Sequence, residues 1–417
     1  MRADQMTMYD YDVVIIGGGL VGGSLACALS GSGLRVAVVE AVSPQAAEQP
    51  SYDERVIALS LGGRRIFESI GLWPDIAPEA EPIRRIHVSE RGGCGMARLD
   101  QAEEAVEALG YVVPARTLGI AIRAALRYAP DVESFCPARL TCYRNGRDGV
   151  DLEVQGEGET RRLQTRLLVA ADGGDSMVRS RLAPETRKRD YGHDAIITTV
   201  TPDRPRPGVA YERFTDTGPL AMLPMTAGRY SVVWTVRRDE TTALLSLSDD
   251  DFCNRLQQRF GYRLGRLGRV APRRVYPLCF MLARRTVGER LLLIGNAAHT
   301  LHPVAGQGFN LGLRDVAALA SVLTRDDQAL ADPGSAANLT RYQSLREHDQ
   351  QLTASLTHGL ARIFTWPLPG ARACRAAGLL GLDLVPAARH LLARRFMGLD
   401  GSLPRLVRRS PAEHAHG

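Results

Sequence analysis

The sequence predicts an α/β protein: a Rossmann-like nucleotide-binding domain interleaved along the chain with a mainly β domain, followed by a helical C-terminal region. Three observations lead there. Apolar runs at residues 11–16, 167–171 and 291–294 each stop at a glycine-containing loop, the punctuation of strands that feed loops and helices. Residues 185–280 are rich in β-formers separated by Pro and Gly. After Asn310 the chain reads as helix and loop to its end, with no internal repeat or low-complexity tract. The pattern divides the chain into a discontinuous nucleotide-binding domain (1–80, 100–185 and 285–340), a β domain (81–99 and 186–284) and a helical region (341–417).

Tyr11-Asp12-Val13-Val14-Ile15-Ile16 is a β-branched run that ends in Gly17-Gly18-Gly19-Leu20-Val21-Gly22. This is G-x-G-x-x-G between a strand and a helix, the context in which it binds a dinucleotide. Gly17 permits the tight turn, Gly19 lets the backbone approach a pyrophosphate, and Gly22 lets the helix pack closely on the strand. The helix stops at Gly31 and Gly33, and a second strand, residues 36–39, ends in Glu40. An acid there accepts both hydroxyl hydrogens of a ribose and disfavours a 2′-phosphate.

Residues 82–99 alternate in part and predict strands of a second sheet. The spacing of Leu118, Ile122, Ala125 and Leu126 predicts a helix over 117–128, and strands flank Asn145-Gly146 and Gly156. The next apolar strand stops at Asp172-Gly173-Gly174, followed by Ser176 and Arg179. An Asp-Gly pair after a strand is by itself an ordinary turn; its place between two other glycine loops singles it out.

Within the β domain, residues 196–200, 220–225 and 230–236 read as strands, and a helix runs from Asp249 to Phe260. The inner face of this sheet forms the wall of a ligand site. Met222, Leu223, Met225 and Trp234 are candidate wall residues, or ordinary core.

The third loop is the longest, Gly295-Asn296-Ala297-Ala298-His299-Thr300-Leu301-His302-Pro303-Val304-Ala305-Gly306-Gln307-Gly308-Phe309-Asn310. It reads as a glycine-rich loop with a rigid proline, ending in a helix start. A helix start presents unpaired backbone N–H groups, glycines leave them uncovered, and the pair suits an anionic, electron-rich ligand.

The three motifs in this order resemble those of the flavoprotein aromatic hydroxylases, FAD monooxygenases similar to p-hydroxybenzoate hydroxylase, over most of the first 330 residues. Residues 300–312, and Tyr211-Glu212-Arg213-Phe214 with residues 218–225, resemble the ubiquinone-biosynthesis branch, nearest in pattern to the 2-polyprenyl-6-methoxyphenol hydroxylases. The resemblance implies FAD held by Gly17, Gly19, Gly22, Glu40, Asp172, Gly173, Asn296, Gly306, Gly308 and Asn310. Arg55, in Asp53-Glu54-Arg55-Val56, would approach the pyrophosphate with its planar fork, or else be a surface charge. No second G-x-G-x-x-G is present, so NAD(P)H is implied as a transient reductant, with O2 as co-substrate.

The implied reaction passes oxygen from a flavin C4a-hydroperoxide to an electron-rich phenol, 2-polyprenyl-6-methoxyphenol becoming 2-polyprenyl-6-methoxy-1,4-benzoquinol. Pro303 would turn its carbonyl toward the substrate ring. His302 or His299 would relay a phenolic proton or serve as structural hydrogen-bonding residues. No dedicated general base stands out. In one departure, many family members carry Gly-Asp where this chain has Gly295-Asn296. Asparagine keeps an acceptor and adds two donors, so it still binds a hydroxyl but removes a negative charge.

A chain of 417 residues with 45% apolar and 24% charged residues is ordinary for a globular protein of this size. Seven scattered cysteines (Cys27, Cys94, Cys136, Cys142, Cys253, Cys279, Cys374) lack C-x-x-C pairing. They indicate reduced thiols, with neither a zinc site nor a disulfide framework. The polar residues before Tyr11 do not resemble a targeting peptide, and no apolar stretch reaches the roughly 18 residues of a bilayer span. The expectation is a cytoplasmic protein, or one peripheral on the inner face of the cytoplasmic membrane.

The net charge of +6 is concentrated after Gly370. Arg372, Arg375, Arg389, Arg394, Arg395, Arg405, Arg408 and Arg409 stand against Asp383, Asp400 and Glu413, interleaved with leucines. Such a tail can lie on anionic lipid, dock on a partner such as another ubiquinone-biosynthesis protein, or pack on its own catalytic domain. Nucleic acid is disfavoured by the few aromatics and the lack of a recognition motif. Alternatives to the leading function are a sister ubiquinone-pathway hydroxylase, a hydroxylase of a small aromatic acid, or a non-catalytic flavin-binding scaffold. The small-acid reading needs a cation in the wall, and Arg213 is the candidate.

Overall fold

Three parallel strands, each ending in one of the glycine loops, lie side by side in the computed structural model, which describes residues 9–43, 55–93, 95–182, 185–363, 371–401 and 403–408. They are Tyr11–Ile16, Thr160–Ala170 and Leu291–Leu293, with Val36–Val39 and Val132–Phe135 continuing the parallel order on the far side of Tyr11–Ile16. Val13, Ile15, Val36 and Val38 are buried under helices on one face of this sheet, and Val14, Ile16, Ala37 and Val39 against an antiparallel arm on the other. Burial on both faces explains why these strands read as uninterrupted apolar runs. The arm consists of Arg139–Asn145 and Val150–Gln155, paired along the start of Thr160–Ala170.

The helices Leu20–Leu29 and Gln307–Leu323 pack on the sheet with Tyr342 of the long helix Ala336–Ile363. That last helix runs unbroken through residue 341, so the expected domain boundary there falls inside a helix. The helix expected over 117–128 spans Ala115–Arg127.

A second sheet runs in the order His299–Thr300, Arg274–Ala283, Thr186–Pro202, Tyr230–Arg237, Gly218–Pro224, Val209–Thr215, Arg85–Glu90, Met96–Asp100. The short strand His299–Thr300 belongs to the third glycine loop and stitches that loop onto this wall. The helix Asp249–Phe260 has the expected span, and Ser248 caps it by accepting a hydrogen bond from the Asp251 N–H at 3.1 Å. Glu81–Ile83 departs from expectation. It joins Gly110–Pro114 and Val56–Ser60 in a small third sheet instead of the wall.

One face of the wall is covered by Arg238–Leu245 and Asp249–Phe260, where Met222 and Trp234 pack with Phe252 and Leu256. Met222 and Trp234 are therefore core residues on the side away from the third loop, whereas Leu223 and Met225 pack on the other side with Ile83 and Ala210. Side chains alternate along a strand with period two. The sequence does not reveal which parity faces the site, because helices cover one face and loops the other.

The tail folds back onto the body. Arg375 of helix Ala371–Leu384 pairs with Glu90 at 2.6 Å, both side chains almost wholly buried, and Leu379 packs with Phe214, Ala97 and Val304. Beyond it lies the helix Pro386–Phe396, where Arg389 pairs with Glu103 and Arg395 with Asp349 and Asp400. Of the three occupants expected for the tail, its own catalytic domain holds most of it, yet Leu380, Leu384, Val385 and Leu391 stay exposed. No single helix among the described residues is long and apolar enough to cross a membrane; only the pair Arg375–Leu384 and Pro386–Phe396, bent by 95°, passes together. Cys27, Cys136, Cys142, Cys253 and Cys279 are free thiols, and no group of metal-ligating side chains is found among the described residues. Asp53, Glu54, Cys94, Arg409, Glu413 and the side chains of Arg372 and Cys374 lie outside the described residues.

Candidate active site

The three glycine loops converge at the carboxyl edge of the parallel sheet, where ligands bind in open α/β folds. Gly17 N–H donates to the Val39 carbonyl at 2.8 Å, Ala171 N–H to that of Ile16 at 2.7 Å, and Ile294 N–H to that of Ala170 at 2.9 Å. Gly17 has φ +100°, and a Cβ there would collide with the Ala171 carbonyl; a Cβ on Gly22 would strike the Gly17 carbonyl. Gly19 is the N-cap of the helix Leu20–Leu29. Glu40 accepts from Gly18 N–H through Oε2 and from Val42 N–H through Oε1, both at 2.7 Å. Each carboxylate oxygen keeps a second acceptor site for a hydroxyl.

Asp172 accepts from Met177 N–H through Oδ2 at 3.1 Å, while its buried Oδ1 has no partner among the described residues. Burial pushes this carboxyl up, against the hydroxyl of Ser176 and nearby backbone N–H groups. A buried acceptor left unmatched calls for a donor from a ligand. Gly173 has φ +85° with open space where a Cβ would stand. Arg179, unassigned in the sequence, is a brace: it donates to the carbonyls of Gly174 at 2.6 Å and Ala297 at 3.2 Å, tying the second loop to the third.

In the third loop Asn296 is exposed between the buried Gly295 and Ala297, so its amide faces open space. Asp315, buried in the helix Gln307–Leu323, accepts from Gly295 N–H and anchors His299. Gly306 caps that helix in the left-handed region (φ 61°), no side chain caps it, and no acid lies in its first turn. A Cβ on Gly308 would meet nothing within 4 Å. The helix start thus presents its N–H groups to open space, with the partial positive charge of its dipole.

These features fit an FAD: a glycine cradle with no room for side chains, an acid at the ribose position, an unmatched buried carboxylate oxygen, and a helix start facing open space. Residues 10–356 match the FAD-binding domain family. The chain is 40% identical over 403 residues to the ubiquinone hydroxylase UbiL of Rhodospirillum rubrum, covering 96% of this chain and 93% of that one. This chain belongs to the FAD-dependent aromatic hydroxylases. The hydroxylase is also 30% identical to the 3-demethoxyubiquinol 3-hydroxylase of Escherichia coli, over 94% of this chain and 100% of that protein. Among solved structures, p-nitrophenol 4-monooxygenase PnpA from Pseudomonas putida shares the fold, with a TM-score of 0.76 at 21% identity over 94% of this chain and 98% of that one. It is a flavoprotein monooxygenase whose family draws on NAD(P)H and O2.

Several side chains of the hydroxylase take roles other than those expected. Asn310 uses its whole amide on backbone: Oδ1 accepts from Ser60 N–H, and Nδ2 donates to the carbonyls of Ala58 and Gly306, all at 2.8 Å. Its side chain therefore clamps the loop to the strand Val56–Ser60 instead of reaching for a cofactor. The Pro303 carbonyl, expected to face substrate, accepts from Gly306 N–H at 2.9 Å and closes a turn, with the proline ring exposed. His302 is buried, accepts from Val304 N–H through Nδ1 at 3.1 Å, and meets the Tyr191 ring edge-on. Burial, then His193 and His358, push its imidazole down to about 4. Near neutral pH it is an uncharged positioning group.

Arg55 holds its guanidinium 4.8 Å from the centroid of the Tyr276 ring, a cation–π contact joining the small sheet to the wall. Arg213 donates to the Arg259 carbonyl at 3.1 Å and to Ser89 at 3.4 Å, on the helix-covered side with Tyr211. It is a structural residue, not a carboxylate receptor in the wall.

Proposed function

We propose that this hydroxylase adds oxygen to the ring of a polyprenylated phenol in ubiquinone biosynthesis, converting 2-polyprenyl-6-methoxyphenol to 2-polyprenyl-6-methoxy-1,4-benzoquinol. The observation that carries the reading is an apolar cavity beside the third loop. Ala305 and Gln307 bound it at the loop, and Ile83, Leu99, Phe396 and Met397 continue it toward the tail. An isoprenoid chain gains about 0.8 kcal/mol for each CH2 it buries in such a lining. The relatives named as ubiquinone hydroxylases support the same substrate class. Arg213, the candidate cation of the small-acid alternative, is spent on Arg259 and Ser89.

Bound FAD, reduced by NAD(P)H, supplies the electrons that activate O2 for transfer to the ring. In this reading Gly17, Gly19 and Gly22 admit the pyrophosphate and Glu40 holds the ribose. Arg55 adds positive charge near the phosphates. Asp172, beside Gly173, gives its unmatched Oδ1 to a hydroxyl, and Asn296 takes a ribityl hydroxyl. The helix start at Gly306 and Gly308 stabilises negative charge on the flavin ring. Pro303 and His302 shape the reacting side and exclude water from it.

The hydroxylase works in the cytoplasm, peripheral on the inner face of the membrane, with Leu380, Leu384, Val385 and Leu391 as its lipid-facing residues. The test uses FAD-loaded protein with NAD(P)H and either 2-prenyl-6-methoxyphenol or 4-hydroxybenzoate. Prenylphenol-stimulated NAD(P)H oxidation, coupled by mass spectrometry to a product carrying one added oxygen, is expected. Stimulation by the acid alone overturns the reading. Accumulation of a later methoxyquinol in a deletion strain transfers the assignment to a sister ring hydroxylase.

A further inference from the structure

One ionisable side chain between the wall sheet and the third loop is used by none of these roles. Glu212 sits mid-strand in Val209–Thr215, opposite Ala221 on one neighbouring strand and Val88 on the other. Strand alternation puts it on the loop-facing side with Ala210 and Phe214, while Tyr211 and Arg213 point to the helix-covered side. Phe214 packs with Val304 of the loop, and Ala210 with Ile83 and Leu223. Glu212 thus stands between two apolar patches.

It is partly buried and makes no hydrogen bond or ion pair among the described residues. The ionisable groups on the same side are Glu90, neutralised by Arg375 from the tail, His302, uncharged on the loop, and, on the strands further along the wall, His193, Arg237, Arg274 and Tyr276 with Arg55 over its ring. The remaining loop-facing positions of the neighbouring strands are apolar or proline: Ile86 and Val88, and Pro219, Ala221 and Leu223. Burial alone pushes the Glu212 carboxyl up to about 8, within reach of physiological pH. An unpaired carboxyl against apolar surface is costly, and such groups persist where they have a task.

We propose that Glu212 accepts the proton of the substrate's phenol hydroxyl. The proposal rests on the polyprenylphenol reading. The phenolic O–H bond breaks, its proton passes to a Glu212 carboxylate oxygen, and the electron pair stays on the phenol oxygen, enriching the ring carbon para to it. Oxygen from O2, with NAD(P)H as reductant, bonds to that carbon. The hydrogen there leaves as a proton to solvent, and the phenol oxygen recovers a proton from Glu212, which restores the aromatic ring and the carboxylate.

The test compares FAD-loaded wild type, Glu212→Gln and Glu212→Asp. Without NAD(P)H, the ultraviolet difference spectrum of bound 2-prenyl-6-methoxyphenol reports phenolate as pH is raised from about 6 to about 9. Where Glu212 is ionised, its charge opposes a second charge on the phenol oxygen it takes the proton from, so at the upper end of this range less phenolate is expected in the wild type than in Glu212→Gln. At pH about 7, kcat should fall roughly ten- to hundredfold in Glu212→Gln with KM within about threefold, and Glu212→Asp should recover part of it. Should Glu212→Gln fail to hold FAD or to melt like wild type, the Glu212→Asp phenolate profile and kcat decide instead. An active wild type whose phenolate profile and kcat are matched by both variants overturns the role of Glu212 alone. A wild type that hydroxylates no prenylphenol overturns the functional reading, and this one with it.

Discussion

His299 Nε2 lies 2.7 Å from Asp315 Oδ2, with both side chains fully buried. The same carboxylate takes Gly295 N–H at 3.1 Å, Arg346 Nε at 2.8 Å and Gln350 Nε2 at 2.9 Å. One buried anion therefore ties the third glycine loop to the helix that follows it and to the long helix Ala336–Ile363. Asp315→Asn would leave the buried Arg346 without this counter-charge, a loss of about 3–5 kcal/mol for a broken buried pair. Thermal melting and flavin retention after gel filtration check this. A variant that melts like wild type and stays yellow would show that the anion is dispensable.

The acid side of the stability profile should have two steps. Burial and two neighbouring histidines hold His302 down to about 4 in the folded chain, below the ordinary value of 6.5. Between these values the unfolded chain binds a proton that the folded chain refuses, so stability falls as pH drops through that window, by an amount on the order of 3 kcal/mol. Burial pushes Asp315 up, but the charges of His299 and Arg346 outweigh it and hold the carboxyl well below its usual range. Its contribution is complete above the ordinary carboxylate pKa and is lost only in stronger acid. Urea unfolding at a series of pH values should show His302→Gln flattening the slope between about pH 4 and 6.5. An unchanged slope would remove His302 from the account.

Gly308 and Gly22 separate cradle from scaffold. A side chain at Gly308 enters open space, so Gly308→Val should leave the apoprotein within about 1 kcal/mol of wild type, the helix-propensity scale. If that space belongs to the flavin, FAD affinity should fall by two orders of magnitude or more. A side chain at Gly22 strikes the Gly17 carbonyl, so Gly22→Ala should lower both apoprotein stability and FAD binding. Flavin titration followed by fluorescence quenching reads both. Wild-type affinity in Gly308→Val would move the isoalloxazine elsewhere.

The parts legible in the sequence are those where local chemistry and fold coincide. Gly17, Gly22 and Gly306 stand where a side chain would strike backbone or a left-handed φ is required, and Gly17 directly follows a strand whose double burial makes it continuously apolar. The helix Asp249–Phe260 begins at its own serine cap. What stayed hidden depends on long-range partners. Asn310 looks like a ligand-facing amide until Ser60, some 250 residues away in sequence, takes its carbonyl oxygen. Met222 and Leu223 are adjacent and equally apolar, yet only register decides that one faces the helices and the other the site side. Arg179 and Arg213 carry no local sign that backbone carbonyls will use them up. Glu212 stands in a recognisable stretch, yet a glutamate in a strand has no sign of a task of its own until its lack of partners is seen.

The tail provides the last expectation. Arg375 and Glu90 form a pair whose side chains are 10% and 8% exposed, while Leu379 on the same helix packs against Val304 of the third glycine loop. Gln307, at the start of the loop helix, donates to the Phe396 carbonyl at 3.4 Å, and Met397 lines the apolar cavity. The tail is thus part of the site's enclosure, held partly by a charge pair whose desolvation is expensive. Arg375→Ala strands a buried carboxylate and should cost about 3–5 kcal/mol, whereas Arg375→Met with Glu90→Gln removes both charges and should recover most of that loss. Limited proteolysis should cut the single variant faster within the tail helices and spare the double variant. In the single variant, NAD(P)H oxidation should also become less coupled to hydroxylation, because a loosened tail admits water beside Val304. If the double variant is as protease-sensitive and as uncoupled as the single one, the charge pair itself is indispensable, and desolvation of an orphaned Glu90 is not the cause.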